Sequence, residues 1–553
     1  MRLKKLLSLG LAAAMAVSAT VGVSAEGLYP GTAEENAMTL DLQMEPTSLN
    51  SLLATYVADG RIDACLLAPL YQYDEDSNAV PCVAESCDTS DDGLVYTFHL
   101  RDDAYWSNGT QLTANDYAFA WKMLMTADTG AEYAYFAYST ANILNGEAFY
   151  NGECEWEDVG VKVLDDLTLE VTLANPVPYF LSLMMQGCML PVNEAYYNEV
   201  GADNYFMDPE YIISCGPYVM ESWTHDSQIV LKKNPDYFDA DRVSVETLYW
   251  NIYTQSDTRL NAFKAGEVDW IALTGDQATA LKAEGFETVD VTEQAEYHIL
   301  FNCDDEYMSN VNLRKAIDCC YSRNAFITAI RKDASVPANT FVPAAVSGYD
   351  GTSYAEALVE AIGTDGVVRN ADGDAALAQE YLAKALEELG CTVDDLSAHL
   401  SMNCGDSDTA MNQAAFFQEQ IRSTLGIEIS INSMTTKAQS AERTNGNYVM
   451  DVTGWVGDYN DPMTWYDMWV TDGGNNSTNW SNEEYDALIE DAKSNTDLEA
   501  RQQDFIRCEE ILVEECPISC IYQRSSSYAV SDKITGGYVI SAWQTDFRWA
   551  TVQ

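Results

Sequence analysis

The chain has 553 residues, with 87 acidic side chains against 29 basic ones and a formal net charge of −58. So acidic a surface repels nucleic acid and anionic lipid headgroups, which excludes partners held mainly through phosphates. It serves solubility or salt tolerance, and its diffuse field also favours cationic ligands.

The first 25 residues read as an export signal. Arg2, Lys4 and Lys5 precede an apolar run from Leu6 to Val17, and Val23–Ser24–Ala25 offers a small-residue cleavage site. That run is too short to span a bilayer. No comparable run follows, so the mature protein is expected in a periplasm or associated with the cell surface. The first cysteine is Cys65, so no lipid-modified Cys is expected at the mature N-terminus. The remaining length calls for two or three lobes with substantial cores.

Leu94, Tyr96, Phe98 and Leu100 alternate with Val95, Thr97 and His99, a strand period preceded by the turn Asp91–Asp92–Gly93. Thr113 and Asp116 form a capping-box-like start for a helix that puts Tyr117, Trp121 and Leu124 on one face. Val161 and Val163, the Asp165–Asp166 turn, then Leu169, Val171 and Leu173 predict a hairpin. Further on, a helix ends at Gly266 before a strand from Val268 to Leu273. Ala375 to Leu389 predict a helix stopped by Gly390. Asn412 to Leu425 predict another, stopped by Gly426 before a strand over Ile427–Ile431. The helix–Gly–strand rhythm marks α/β units with parallel strands. A strand-rich segment lies near 62–192, and no low-complexity linker divides the chain.

The 14 cysteines show no doubled Cys-x-x-Cys spacing, which argues against a zinc site. Either most are buried thiols or a few pair as disulfides. His99, His225, His298 and His399 are the only histidines, and no two share a metal-binding helical spacing. There is no Gly-x-Ser-x-Gly elbow and no phosphate loop. No cofactor is called for.

The most informative stretch is Gly454–Trp455–Val456–Gly457–Asp458–Tyr459–Asn460–Asp461–Pro462. It sets one carboxylate after a short aromatic strand and before a Pro-ended turn. A carboxylate there can hold a cationic end-group entering along the strand, or it can cap the turn. Asp461, directly before Pro462, is the better placed for capping. Trp455, Tyr459 and Trp465 either line side-chain pockets or belong to the core.

Several blocks carry a family resemblance. Tyr96–Thr97–Phe98–His99–Leu100–Arg101, Trp106–Ser107–Asn108–Gly109 and Thr113–Ala114–Asn115–Asp116 resemble the signature of the extracellular solute-binding protein family 5, the peptide and nickel receptors. Gly160 to Leu173 with Pro176–Val177–Pro178–Tyr179–Phe180 are similar to its oligopeptide-binding branch. Gly216–Pro217–Tyr218, Lys233–Asn234–Pro235–Asp236–Tyr237–Phe238 and Asn312–Leu313–Arg314–Lys315–Ala316–Ile317 match further blocks.

The resemblance implies a type II periplasmic-binding-protein-like α/β fold in three lobes. Lobe I would comprise 26–61, 193–293 and 520–553, lobe II the smaller 62–192, and lobe III 294–519. Lobes I and III would close on the ligand by a hinge. The function implied is capture of short extended peptides for an ABC importer, by a monomer that delivers them to a permease with its ATPase subunits. Receptors for a dipeptide, a nickel chelate or a sugar are the alternatives, and a secreted hydrolase a more distant one. Peptide backbone would be gripped by strand addition from Gly454–Trp455–Val456 and from Thr55–Tyr56–Val57. Asp458 would hold the peptide's α-ammonium, and Tyr133 would face the ligand from lobe II. In the family a cation precedes the Gly–Trp pair and can meet a short peptide's carboxylate. Thr453 stands there instead, so Arg443 either takes that role from nearby or is simply exposed.

Overall fold

Helix ends follow the caps written into the sequence. The capping box of Thr113 and Asp116 opens the helix Ala114–Leu124, with the Thr113 N–H donating to Asp116 Oδ2 at 2.8 Å. Tyr117, Trp121 and Leu124 on its inner face are fully buried. Asp374 accepts from the N–H groups of Ala376 and Leu377 at 3.0 and 2.9 Å to start the helix Ala375–Leu389. Gly390 closes that helix at φ 64°, in the left-handed conformation that a Cβ disfavours. These elements belong to a computed structural model that describes residues 36–74, 79–348, 352–363, 370–540 and 545–553. The export signal at 1–25 and the stretch 26–35 lie outside the described residues.

The expected hairpin is present, with Val161–Asp165 antiparallel to Thr168–Thr172. It belongs to a four-stranded sheet ordered Ala84–Thr89, Val95–Leu100, Thr168–Thr172, Val161–Asp165. One expectation shifts. The strand after Gly426 is Ser430–Met434 rather than Ile427–Ile431. Ile427 and Ile429 are buried beneath the helix Asp408–Leu425 with Phe417 and Ile421, so the ladder begins beyond them.

A larger sheet of 11 strands organises the rest. Its order is Ser430–Met434, Ser401–Gly405, Met450–Val456, Thr288–Phe301, Ile518–Val530, Trp270–Leu273, Ala37–Asp41, Thr247–Asn251, Gln228–Lys233, Tyr218–Thr224, with Val336–Pro337 paired off this path. The expected parallel pairings occur on both sides of the centre, while the Gln228–Lys233 and Tyr218–Thr224 end is antiparallel. Ala37–Asp41 runs parallel to Thr247–Asn251 and Trp270–Leu273, and Ser401–Gly405 to Ser430–Met434 and Met450–Val456.

Two long antiparallel strands, Thr288–Phe301 and Ile518–Val530, join the two parallel regions. Their register shifts between Thr292 and Glu296. At the shift Glu293 accepts from Arg524 Nε at 2.6 Å and from the Ser526 hydroxyl. Gln294 turns the other way. Its carbonyl accepts from the Gly457 N–H at 2.9 Å, and its Nε2 donates to Asn460 Oδ1 at 2.9 Å. Among the described residues no disulfide joins the cysteines, and no helix is long and apolar enough to cross a membrane.

Gly216 shows why one of the sequence blocks needs its glycine. A Cβ there would sit 2.7 Å from the Leu66 carbonyl carbon and 2.8 Å from the Leu67 nitrogen. The Gly216 N–H also donates to the Leu66 carbonyl at 2.8 Å, so neither chain can draw back cheaply. Gly216→Ala is expected to cost about 1–3 kcal/mol, read as a lower urea midpoint with the slope unchanged.

Candidate functional site

The strand Met450–Val456 pairs along its whole length with Thr288–Phe301, from Met450↔Phe301 to Val456↔Ala295. Its other edge pairs with Ser401–Gly405 only at Met450 and Asp451. From Val452 to Val456 that second edge has no ladder partner among the described strands. The Val452 carbonyl accepts from Gln439 Nε2 at 3.1 Å. Gly454 lets this strand lie close on its neighbour, since a Cβ would come within 2.6 Å of the Tyr297 ring and 2.8 Å of the Glu296 carbonyl oxygen. Tyr297 cannot yield freely because its ring stacks on Tyr522 at 4.8 Å.

Asp458 follows this bare edge. Its N–H donates to Thr464 Oγ1 at 3.2 Å, and its carbonyl accepts from Gln186 Nε2 at 2.6 Å. The backbone is thus fixed from both sides, while the carboxylate accepts no hydrogen bond from the described residues and borders a cavity. Burial pushes its pKa up to about 6. The turn is held instead by Asp461, which accepts from the Met463 N–H at 2.9 Å and forms a two-pronged ion pair with Arg501 at 2.7 and 2.8 Å.

The cavity brings together segments far apart in sequence. Thr55, Tyr56 and Val57 line it, as do Tyr133, Gln186, Cys188 and Arg548. Tyr133 lies near the carboxylate: burial first, then the charge of Asp458, raises its phenol to about 12. Tyr135 stacks beside it at 6.0 Å.

Three expectations are corrected. Thr55–Tyr56–Val57 is not an edge strand. Asp59 accepts from the N–H groups of Thr55 and Tyr56 at 3.1 Å each, and of Thr47 at 2.7 Å. This winds the segment into the start of the helix Val57–Leu66. Arg443 does not reach the cavity, because its guanidinium pairs at 3.1 Å with Asp451, whose side chain is fully buried. Trp465 is core, fully buried with its ring edge-on to Phe341 at 5.8 Å.

The other aromatics divide. Tyr459 is buried and stacks face to face on Tyr179 at 4.5 Å, beside a separate polar cavity that includes Asp467 and Lys493. Trp455 is half-buried, its indole N–H directed to Thr464 Oγ1 at 3.4 Å. Sequence reasoning missed two charged groups on the cavity wall, Asp63 and Arg548. Arg548 donates to Gln72 Oε1 at 2.7 Å and to the Tyr237 hydroxyl at 3.3 Å. Nothing local marks either residue, since their cavity neighbours come from distant segments.

Asp458 thus places an anionic side chain on a cavity built from several segments, two residues beyond an unpaired strand edge, an arrangement able to take a small extended ligand. Comparison with known proteins agrees. Residues 78–477 match the bacterial extracellular solute-binding proteins, family 5 (middle region). The chain belongs to this family. It is 29% identical over 522 residues to the oligopeptide-binding protein OppA of Bacillus subtilis, spanning 93% of this chain and 92% of that one. A crystal structure of an oligopeptide ABC transporter substrate-binding domain from Bacillus anthracis superposes with a TM-score of 0.74 at 29% identity, covering 95% of this chain and all of that one. Listeria monocytogenes OppA bound to peptide superposes with a TM-score of 0.73 at 28% identity, covering 94% and 99%. The fold is the periplasmic-binding-protein type of these relatives.

The geometry predicts one carboxyl in the ligand-free protein that titrates near pH 6 and disappears in Asp458→Asn. Carbon-detected NMR of the aspartate carboxyls, taken as a difference between the two proteins, measures it. A midpoint near the ordinary value of about 4 would show the group to be solvated.

Proposed function

We propose that the protein is the extracytoplasmic receptor of an ABC importer and captures short peptides in extended form. The observation that carries this reading is the half-buried, unpartnered carboxylate of Asp458 next to the bare edge of Val452–Val456. The edge supplies main-chain hydrogen bonds that ignore side-chain identity. Asp458 supplies the counter-charge for the one cation that every unblocked peptide carries, its α-ammonium. The peptide-binding relatives named above point the same way. The protein acts by binding and release rather than by catalysis.

Closure would turn on the two long strands. The proposed boundaries between lobe I (26–61, 193–293, 520–553) and lobe III (294–519) fall within Thr288–Phe301 and Ile518–Val530, the first at the register shift Thr292–Glu296 and the second beside the shift Tyr297–His298. Lobe II (62–192) carries the four-stranded sheet, and Gln186 bonds the Asp458 carbonyl from it. Delivery to a permease with its ATPase subunits, action as a monomer, and residence in a periplasm or at the cell surface complete the proposal.

The test is calorimetric titration of ligand-free protein with matched peptides. Asp458→Asn is expected to weaken free-amine peptides at least about tenfold, since removing one partner strands the other in a closed cleft. Equal affinity for a peptide and its N-acetyl form would overturn the assignment. The pH dependence has a definite sign. The bound ammonium favours the ionised carboxylate, so affinity falls as Asp458 protonates, from full strength above about pH 6. Between pH 7 and pH 5 the loss should be about tenfold, and Asp458→Asn should flatten it.

A further inference from the structure

The cavity holds a second carboxylate that no expectation covered. Asp63 lies on the helix Val57–Leu66, one turn beyond Asp59, and is only 1% exposed. It faces the same cavity as Asp458. Among the described residues neither of its carboxylate oxygens has a hydrogen-bond partner. A buried carboxylate is normally paired or hydrogen-bonded, because transferring it from water unpaired costs several kcal/mol.

The buried Tyr205 hydroxyl feels the charge of Asp63 but makes no hydrogen bond to it among the described residues, and the nearby charged groups are directed elsewhere. Asp59 repels it, and Asp59 itself is occupied by the N–H groups of Thr47, Thr55 and Tyr56 and the Thr47 hydroxyl. Arg548, the cation on the cavity wall, is directed to Gln72 and Tyr237. Among the described residues no donor meets the Asp63 carboxylate, which leaves it able to take a cation from a ligand. The same cavity wall carries apolar side chains, among them Val57, Ala64, Leu67, Met185 and Leu190. Such a wall suits the methylene stem of a long basic side chain whose charged end reaches the carboxylate.

We propose that Asp63 is the floor of a subsite for a cationic side chain, of the lysine or arginine type, on the peptide whose α-ammonium Asp458 holds. This rests on the peptide reading above and adds a preference to it. Two separated carboxylates in one cavity select ligands with two cations, and the common backbone contacts do not.

The experiment is calorimetric titration of the full ligand-free chain with free-amine alanine tetrapeptides. One lysine is moved through the first three positions, and each peptide is paired with its norleucine counterpart, which keeps the stem and lacks the charge. The buffer carries about 0.3 M salt to screen the diffuse field of the acidic surface. At one position lysine should bind at least about tenfold more tightly than norleucine. Asp63→Asn should bring the two within about twofold.

Peptides that all bind the wild type, with no lysine advantage at any position, would overturn the subsite and leave the peptide reading standing. That comparison needs no variant. A lysine advantage that persists in Asp63→Asn would also overturn it. Failure of every free-amine peptide to bind would overturn both the peptide reading and the subsite.

Discussion

The pairing of Thr288–Phe301 with Ile518–Val530 is the constraint on which the rest of the molecule depends. These strands sit in the middle of an 11-stranded sheet, so both parallel regions hang from the same ladder. Register shifts interrupt that ladder at Thr292–Glu296 and at Tyr297–His298, and the first of them reaches the loop after Val456. There, Gln294 is tied to Gly457 and Asn460, which flank Asp458, while Glu293 is tied to Arg524 and Ser526. A change of angle between the long strands must therefore move the loop that carries the Asp458 carboxylate. Main-chain continuity and two hydrogen bonds of 2.9 Å are enough for that coupling, with no longer relay between the register shift and the Asp458 loop.

The acidic residues fall into two populations. Asp461 with Arg501 and Asp451 with Arg443 are satisfied inside the protein, and they set backbone geometry. Asp458 and Asp63 are desolvated and lack such partners among the described residues. Burial raises the pKa of both above the unfolded value. The sign is unfavourable to the empty fold, because an acid with a raised folded pKa loses stability as pH climbs above its unfolded pKa. The protein carries this cost until a ligand supplies positive charge. Stability and affinity are therefore linked, and the empty protein is the less stable state.

Where a signal was local, the sequence disclosed it. Asp374 and Gly390 bracket one helix, and Thr113 with Asp116 opens another, because caps act within four residues. The Asp458 stretch was legible for the same reason, as a short strand followed by a Pro-ended turn. Thr55–Tyr56–Val57 was misread because its assignment rested on resemblance without a motif of its own, and Asp59 captures two of its N–H groups. Trp465 and Phe341 meet only in the folded chain, so its burial left no mark in sequence. Asp63 and Arg548 were invisible because a cavity wall drawn from 54–72, 133–136, 185–190, 458 and 548 has no periodicity to read.

The shared ladder also governs how this architecture can be divided. A fragment cut out at 294–519 would keep Met450–Val456 but lose Ile518–Val530 and part of Thr288–Phe301. Its raw margins would offer unpaired peptide groups to any neighbouring molecule, a recipe for clumping. Grafting one lobe onto a relative's scaffold would meet the same obstacle. Both central strands would have to travel with it, so exchange between such proteins is confined to loops, cavity walls and the smaller four-stranded unit.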